Sequence, residues 1–231
     1  MRMIEYNYSI DYWVDLFNKM YESGITIHHV SSEYHSYKLY LTVLRQYNLC
    51  FPERPISHLV KLAEPHFDST YFDPNRLQKK TEEYLDDLST SKLWGVQWMW
   101  RGKLSDEKSR LIGFHNSIDL IGATIEQLKK NHLAGSFYLF PYTKTFCESV
   151  ITSLVIKVFD GLIVYRNFNE IEYDEYFDFL PNNIIIRPLG AGKLSVHLTK
   201  KQIVEFALSH SKISYGIVSI SSIGKLNELI M

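Results

Sequence analysis

The chain has 231 residues, 45% of them hydrophobic and 22% charged, which suits one globular domain with a large core. Lys and Arg total 25 against 26 Asp and Glu, a formal charge of −1, so the charge balance gives no sign of a nucleic-acid or anionic-membrane partner. Cys50 and Cys147 stand far apart in no metal or redox spacing, Met1-Arg2-Met3-Ile4-Glu5 forms no apolar signal region, and Lys157 and Asp160 interrupt the longest apolar stretch, so a cytoplasmic protein without a membrane span is expected.

Trp13, Val14, Phe17, Met20 and Tyr21 recur at helical spacing, and Gly24 stops that helix. Thr26 to Val30 reads as a strand. Leu39, Leu41, Val43 and Leu44 mark a second helix, and Leu59-Val60-Lys61 a short strand. Asp73-Pro74 predicts a helix start, because Asp caps free amides and Pro at the first helical position forfeits no hydrogen bond. That helix buries Leu77, Tyr84, Leu85 and Leu88. Val96 to Trp100 reads as a strand, Ile118 to Lys130 as a helix and Ser136 to Phe140 as a strand. Thr145-Phe146-Cys147-Glu148 resembles a capping box that opens a helix to about Val158. Strands follow at Leu162 to Tyr165 and Asn183 to Ile186. Thr199-Lys200-Lys201-Gln202 is a second capping-box pattern before Ile203, Val204, Phe206 and Ala207. Tyr215 to Ser219 is the last strand and Leu226 to Ile230 a last helical turn.

Short apolar strands that alternate with amphipathic helices predict a parallel sheet with helices outside it. Seven strands are expected, with an eighth at Met3 to Tyr6 weak in pattern. A doubly wound open sheet shares this local pattern.

Four segments, in order, resemble the aldo-keto reductases. Ile186-Arg187-Pro188-Leu189-Gly190-Ala191-Gly192-Lys193-Leu194-Ser195 matches that family's "Pro-Leu-x-x-Gly-x-Leu" after the seventh strand. Gly24-Ile25-Thr26-Ile27-His28-His29-Val30-Ser31 resembles "Gly-Ile-x-x-x-Asp-Thr-Ala", with Tyr34 following at family spacing. Leu88 to Met99 resembles "Leu-Gly-x-Asp-x-Ile-Asp-Leu-x-Gln-Leu-His". Ile217 to Ser222, with Lys225, Leu226 and Glu228, resembles the last strand and the adenosine-phosphate loop. The resemblance spans nearly the whole chain, residues 1–231, with shortened ends. It implies one domain folded as a (β/α)8 TIM-type barrel of aldo-keto reductase type, its first strand reduced or missing, and an NADP(H)-dependent carbonyl reductase as the family activity.

In that family Asp, Tyr, Lys and His surround the nicotinamide. Here Tyr34 and Lys61 take the Tyr and Lys positions, whereas His29 stands for the Asp and Met99 for the His. A free tyrosine titrates near 10, roughly three units above neutral pH, and needs tuning to pass a proton there. Lys61 has lost the anion that would hold it, and His29 beside it is expected to stay neutral. Met99 cannot donate a hydrogen bond to a carbonyl oxygen, a loss worth on the order of 100-fold in rate. The carboxamide anchors of the family fall on Phe140-Pro141 and Ile163, and its aromatic platform on Ile186; none of these side chains offers a hydrogen bond. Leu189, Gly190, Ser221, Ser222 and Lys225 are the positions left to hold the phosphates of NADP(H).

The resemblance therefore implies two functions. In the first the barrel has left redox chemistry and binds or transforms a small molecule at its mouth. In the second it is a divergent NADP(H)-dependent reductase of an aldehyde, keto-sugar or natural-product intermediate, using Tyr34 and Lys61. A missing strand would expose two sheet edges, where a second copy or a partner protein would pair. His28, His29 and His35 read as rim residues rather than metal ligands, since neighbours on a strand face opposite sides, and no metal is expected. Gly190-Ala191-Gly192-Lys193 reads as a turn after a strand, because Arg187 and Leu194 break the phosphate-loop pattern. Trp94, Trp98 and Trp100 alternate on one strand face and are expected to pack under the outer helices. Glu170, Glu172, Asp174, Glu175 and Asp178, among Tyr173, Tyr176, Phe177 and Phe179, predict a solvated helix face over an aromatic inner face.

Overall fold

A computed structural model describes residues 8–67, 69–102, 106–153, 157–192 and 197–230. The expected strand at Met3 to Tyr6 and the Lys193-Leu194-Ser195 end of the motif that begins at Ile186 lie outside the described residues.

Helix α1 (Ile10–Glu22) starts where the Ser9 hydroxyl accepts from Tyr12 N at 3.2 Å, and buries Trp13, Val14, Leu16, Phe17 and Met20. It ends at Gly24, whose φ of +81° is a left-handed value that a Cβ would strain. Strand β1 (Ile27–Val30) leads to α2 (Tyr37–Cys50), and β2 (Ser57–Ala63) to α3 (Pro74–Leu88), which Asp73 caps through Asn75 N at 2.9 Å. After β3 (Leu93–Met99) come two helices, α4 (Glu107–Asn116) and α5 (Ile118–Lys130). Then β4 (Ala134–Leu139) precedes α6 (Lys144–Ile151), and β5 (Gly161–Tyr165) precedes a short 3-10 helix at Asp174–Phe179. The chain closes with β6 (Asn183–Ile186), α7 (Lys200–Leu208), β7 (Ile213–Ile217) and α8 (Ile223–Ile230).

The strands lie side by side in chain order, β1 to β7, and every neighbouring pair is parallel. A doubly wound sheet reverses its strand order at a switch point, so this order settles the open alternative in favour of a barrel. Two buried clusters fit that geometry. The larger lies between strands and helices and includes Trp13, Trp98, Trp100, Phe114 and Phe177. The smaller fills the interior with Leu59, Ala63, Met99, Tyr138, Phe140, Ile163 and Ile184. Among the described residues β1 and β7 share no ladder, so the barrel is nearly closed rather than closed. No helix among them is long and apolar enough to cross a membrane.

Several expectations need correction. Thr143, not Thr145, caps α6, accepting from Phe146 N at 3.2 Å, and the helix ends at Ile151 rather than near Val158. Helix α4 escaped the sequence reading because it buries only Phe114 and so shows no apolar period. Strand β7 begins two residues earlier than Tyr215. Trp94 does not lie under the outer helices with Trp98 and Trp100. It stacks on Tyr138 at 5.7 Å and packs against the interior cluster, because its neighbour Gly95 leaves an inward position without a side chain. The acidic stretch forms a six-residue 3-10 helix; Tyr176 and Phe177 are buried as expected, but Phe179 is exposed.

The second capping box is present, with Thr199 and Gln202 satisfying each other's backbone amides. Thr199→Ala is expected to cost about 1 kcal/mol. A urea titration reads this as a lower midpoint with unchanged slope, and an unshifted midpoint counts against the cap.

Candidate functional site

In barrels of this kind the residues at the C-terminal ends of the strands converge on one mouth. Here that mouth collects the residues after β1, the last residues of β2 and β3, and the turns after β4, β5 and β6.

His28 and His29 do point to opposite sides of β1. His28 is buried in the helix layer beside Phe17, whereas His29 turns inward and its Nε2 lies 2.8 Å from Gln97 Oε1. With that oxygen as acceptor, His29 carries its proton on Nε2. Burial outweighs this bond and lowers the imidazole to about 4, with the charge of Lys61 a minor contribution in the same direction, so His29 is neutral as expected. Gln97 Nε2 in turn donates to Met99 Sδ at 3.7 Å, and the Tyr142 hydroxyl donates to the same sulfur at 3.5 Å. Met99 is thus a weak acceptor for two neighbours.

The expectation that Lys61 lacks an anion is wrong. Lys61 Nζ donates to Glu33 Oε2 at 2.7 Å. Arg101 Nη1 reaches both oxygens of the same carboxylate at 2.8 and 2.7 Å, and His66 Nε2 lies 3.0 Å from Oε1. Burial works to raise the Glu33 carboxyl, but the hydrogen bonds from Lys61, His66 and Arg101 prevail and hold it at about 2. Arg101 Nε also donates to the Tyr142 hydroxyl, and its guanidinium lies 5.1 Å from the Phe67 ring. Glu33, Arg101 and Tyr142 escaped the sequence reading. A carboxylate one residue before Tyr34 fits no spacing rule, and its partners arrive from two other strand ends, β2 and β3.

Tyr34 is brought to Lys61 and His29, but not through its hydroxyl. Lys61 Nζ lies 5.7 Å from the Tyr34 ring centroid, and the His29 ring meets the Tyr34 ring edge-on at 6.1 Å. Burial and then the Glu33 charge push the Tyr34 hydroxyl up to about 12, away from neutral pH.

The positions expected to anchor a nicotinamide carboxamide carry only hydrocarbon here. Phe140 and Ile163 belong to the interior cluster, and Ile186 packs against it. Phe140 meets Tyr142 and Tyr165 edge-on at 4.7 and 5.7 Å. The depression they line with Pro141, Val164 and Tyr173 has no room for a water molecule. These side chains do not fit a carboxamide, which needs polar partners on both its oxygen and its nitrogen. The turn of Leu189 and Gly190 follows β6, as read, with Gly190 N donating to Arg187 O at 2.8 Å. Ser221, Ser222 and Lys225 follow the adjacent strand β7. Ser222 Oγ accepts from Lys225 N at 3.2 Å at the start of α8, and Lys225 Nζ donates to Ser221 Oγ at 2.8 Å. Hydroxyls and an ammonium at a helix N-terminus suit a phosphate. The positions expected to hold the two ends of a dinucleotide are therefore unequal: polar at α8, apolar at β4 to β6.

No protein-family model matches the sequence, and no curated protein matches it. Solved structures do. An aldo-keto reductase from Klebsiella pneumoniae, in complex with NADP and acetate, superposes with a TM-score of 0.68 at 15% identity, over 96% of this chain and 79% of that one. The holo form of an aldo-keto reductase from Bacillus halodurans gives 0.70 at 11% identity, over 96% and 81%. The aldose reductase of Schistosoma japonicum gives 0.62 at 16% identity, over 97% and 79%. With seven parallel strands in chain order and this likeness over nearly its whole length, the chain has the barrel fold of the aldo-keto reductases.

Proposed function

We propose that this barrel has left hydride transfer and uses its mouth to bind a small molecule. The observation that carries this reading is the hydrocarbon at the positions a nicotinamide would need, Phe140, Ile163 and Ile186. A reductase of this fold needs the lysine charge at the tyrosine hydroxyl, where it eases loss of the proton. Here the ammonium is held by Glu33 and lies 5.7 Å from the Tyr34 ring centroid, with no hydrogen bond to the Tyr34 hydroxyl. A tyrosine near 12 is a poor proton relay at neutral pH, since about one molecule in 10⁵ is ionised there. Met99 supplies no donor for a substrate carbonyl, and Phe140, Ile163 and Ile186 supply none for a carboxamide. The mouth keeps charged groups held in place beside aromatic side chains.

Purified protein titrated with NADPH and NADP⁺, followed by calorimetry, is expected to show no binding up to roughly millimolar cofactor, the upper end of ordinary enzyme affinities. Micromolar binding would overturn the proposal. The second reading, a divergent NADP(H)-dependent carbonyl reductase, draws on the contact between Tyr34 and Lys61 and on the polar groups at α8. It requires oxidation of NADPH by an aldehyde or keto-sugar, and loss of most of that turnover in Tyr34→Phe.

A further inference from the structure

One carboxylate at the mouth serves three basic side chains. Glu33 carries a single negative charge, while Lys61 and Arg101 carry two positive ones, with His66 beside them. The next carboxylate after β2, Glu64, is fully buried and already held by Arg76 at 2.8 Å and Lys80 at 3.3 Å. On the far side of the mouth Arg187 adds another cation, 4.3 Å from the Tyr165 ring. Glu33, Lys61 and Arg101 together thus carry a net positive charge, to which Arg187 adds.

The members of this cluster differ in how firmly they are held. The side chains of Lys61 and Arg101 are 14% and 18% exposed, and Arg101 is fixed by the Tyr142 hydroxyl and by the Phe67 ring. Glu33 is 36% exposed and stands on the loop after β1, so its carboxylate can turn to water without breaking the strands. Cations fixed near strand ends with a carboxylate on a loop describe a preformed anion site with a tethered occupant. A guanidinium facing both oxygens of a carboxylate, with an ammonium 2.7 Å from one of them, suits a carboxylate or a phosphate monoester equally well.

We propose that Lys61 and Arg101 form the anion-binding centre of the mouth, that its ligand carries a carboxylate or phosphate group, and that Glu33 is the built-in competitor the ligand displaces. This rests on the reading of the mouth as a ligand site. A tethered group competes at an effective concentration of about millimolar or more, so free anions bind weakly until they exceed it. The competitor keeps the site neutralised and closed to abundant small anions, while a ligand with further contacts to Phe67 or Tyr142 displaces it.

The test is calorimetric titration at low salt with inorganic phosphate and, separately, with benzoate. It compares the wild type, Glu33→Gln and Glu33→Gln/Arg101→Gln. Glutamine keeps the shape of Glu33 without its charge; Glu33→Ala serves as a second form should Glu33→Gln fail to fold. Removal of the carboxylate is expected to tighten binding of at least one anion by about ten-fold or more, and loss of Arg101 to abolish the gain. A preference for phosphate or for benzoate then tells a phosphate ester from a carboxylate. Equal or absent binding in the wild type and the Glu33 variant would overturn the proposal. So would a gain that survives in the double variant. Turnover of NADPH by the wild type would sink the non-redox reading and leave this comparison standing, so the two failures are distinguishable.

Discussion

Between pH 6.5 and 4 the folded chain is expected to lose roughly 6 kcal/mol of stability, about the whole margin of an ordinary domain. The cause lies behind the mouth, in the layer between β1, β2, α1 and α2. His28 Nδ1 lies 3.1 Å from the Tyr40 hydroxyl and His58 Nε2 lies 3.0 Å from it. All three side chains are buried, and the hydroxyl can donate to one ring nitrogen while accepting from the other, so at least the accepting imidazole must be neutral. Burial, with some repulsion from His58, lowers His28 to about 3; burial lowers His58 to about 4. A histidine whose folded value is depressed contributes stability that is fully present above its unfolded value near 6.5. The contribution is lost as pH falls, because the unfolded chain takes up the proton first. Each such proton tilts stability by about 1.4 kcal/mol per pH unit, or ~3 kcal/mol per histidine by pH 4. His29, lowered to about 4, adds in the same direction. Urea titrations from pH 7.5 down to 4.5 measure the tilt. His28→Gln/His58→Gln should remove about two protons from it, whatever the variant's own stability at pH 7.5. A tilt left unchanged in that variant would exclude the pair as its source.

The barrel was legible in the sequence wherever a local rule fixes a residue. Asp73-Pro74 and Thr199 to Gln202 state their helix starts because capping involves only a few consecutive residues, and α3 and α7 begin there. The alternation of short apolar strands with helices carried the parallel sheet, but not its strand order, which is a property of the whole chain. The motif around Tyr34 led to the mouth, because the spacing from β1 to the loop after it is local. What it contains was less legible. The partner of Lys61 is Glu33, 28 positions earlier, and the partner of Glu33 is Arg101, 68 positions later. Such pairs follow from the meeting of strand ends, which no periodicity encodes. Trp94 shows the same limit within one strand. Alternation places it with Trp98, yet an inward Gly95 lets the first ring of the strand slide into the barrel to stack on Tyr138. Likewise, α4 buries one residue and so leaves no pattern to read.

Asn183→Ala is expected to destabilise the protein by ~3 kcal/mol or more, because it leaves several buried backbone groups without partners at once. The seam between β4 and β5 is the thinnest of the sheet, matched only at Tyr138–Gly161 and Leu139–Leu162. Asp160 reinforces it, and Asn183 holds β5 from its other edge. Asp160 Oδ2 accepts from Phe137 N at 2.7 Å while Asp160 N donates to Phe137 O at 2.8 Å. On the other side of β5, the fully buried Asn183 accepts from Leu162 N at 2.9 Å and donates to Phe177 O, Leu180 O and Lys212 O at 2.9 to 3.1 Å. One amide therefore ties β5, the 3-10 helix and the approach to β7 onto β6. Gly161 allows this closeness, since a Cβ there would stand 2.1 Å from Asn182 O. Alanine at 183 fills none of these roles. The loss should be uneven. Strands β5 and β6 carry Tyr165, Ile186 and Arg187, one side of the mouth, whereas Glu33, Lys61 and Arg101 sit at the ends of β1 to β3, across the thin seam. Amide exchange in Asn183→Ala should accelerate at Leu162 and through β5 to β7 more than at Val60 or Val96. The anion centre would then outlast the wall opposite it. Equal acceleration in both halves would mean that the sheet opens as one unit and that the seam carries no special role.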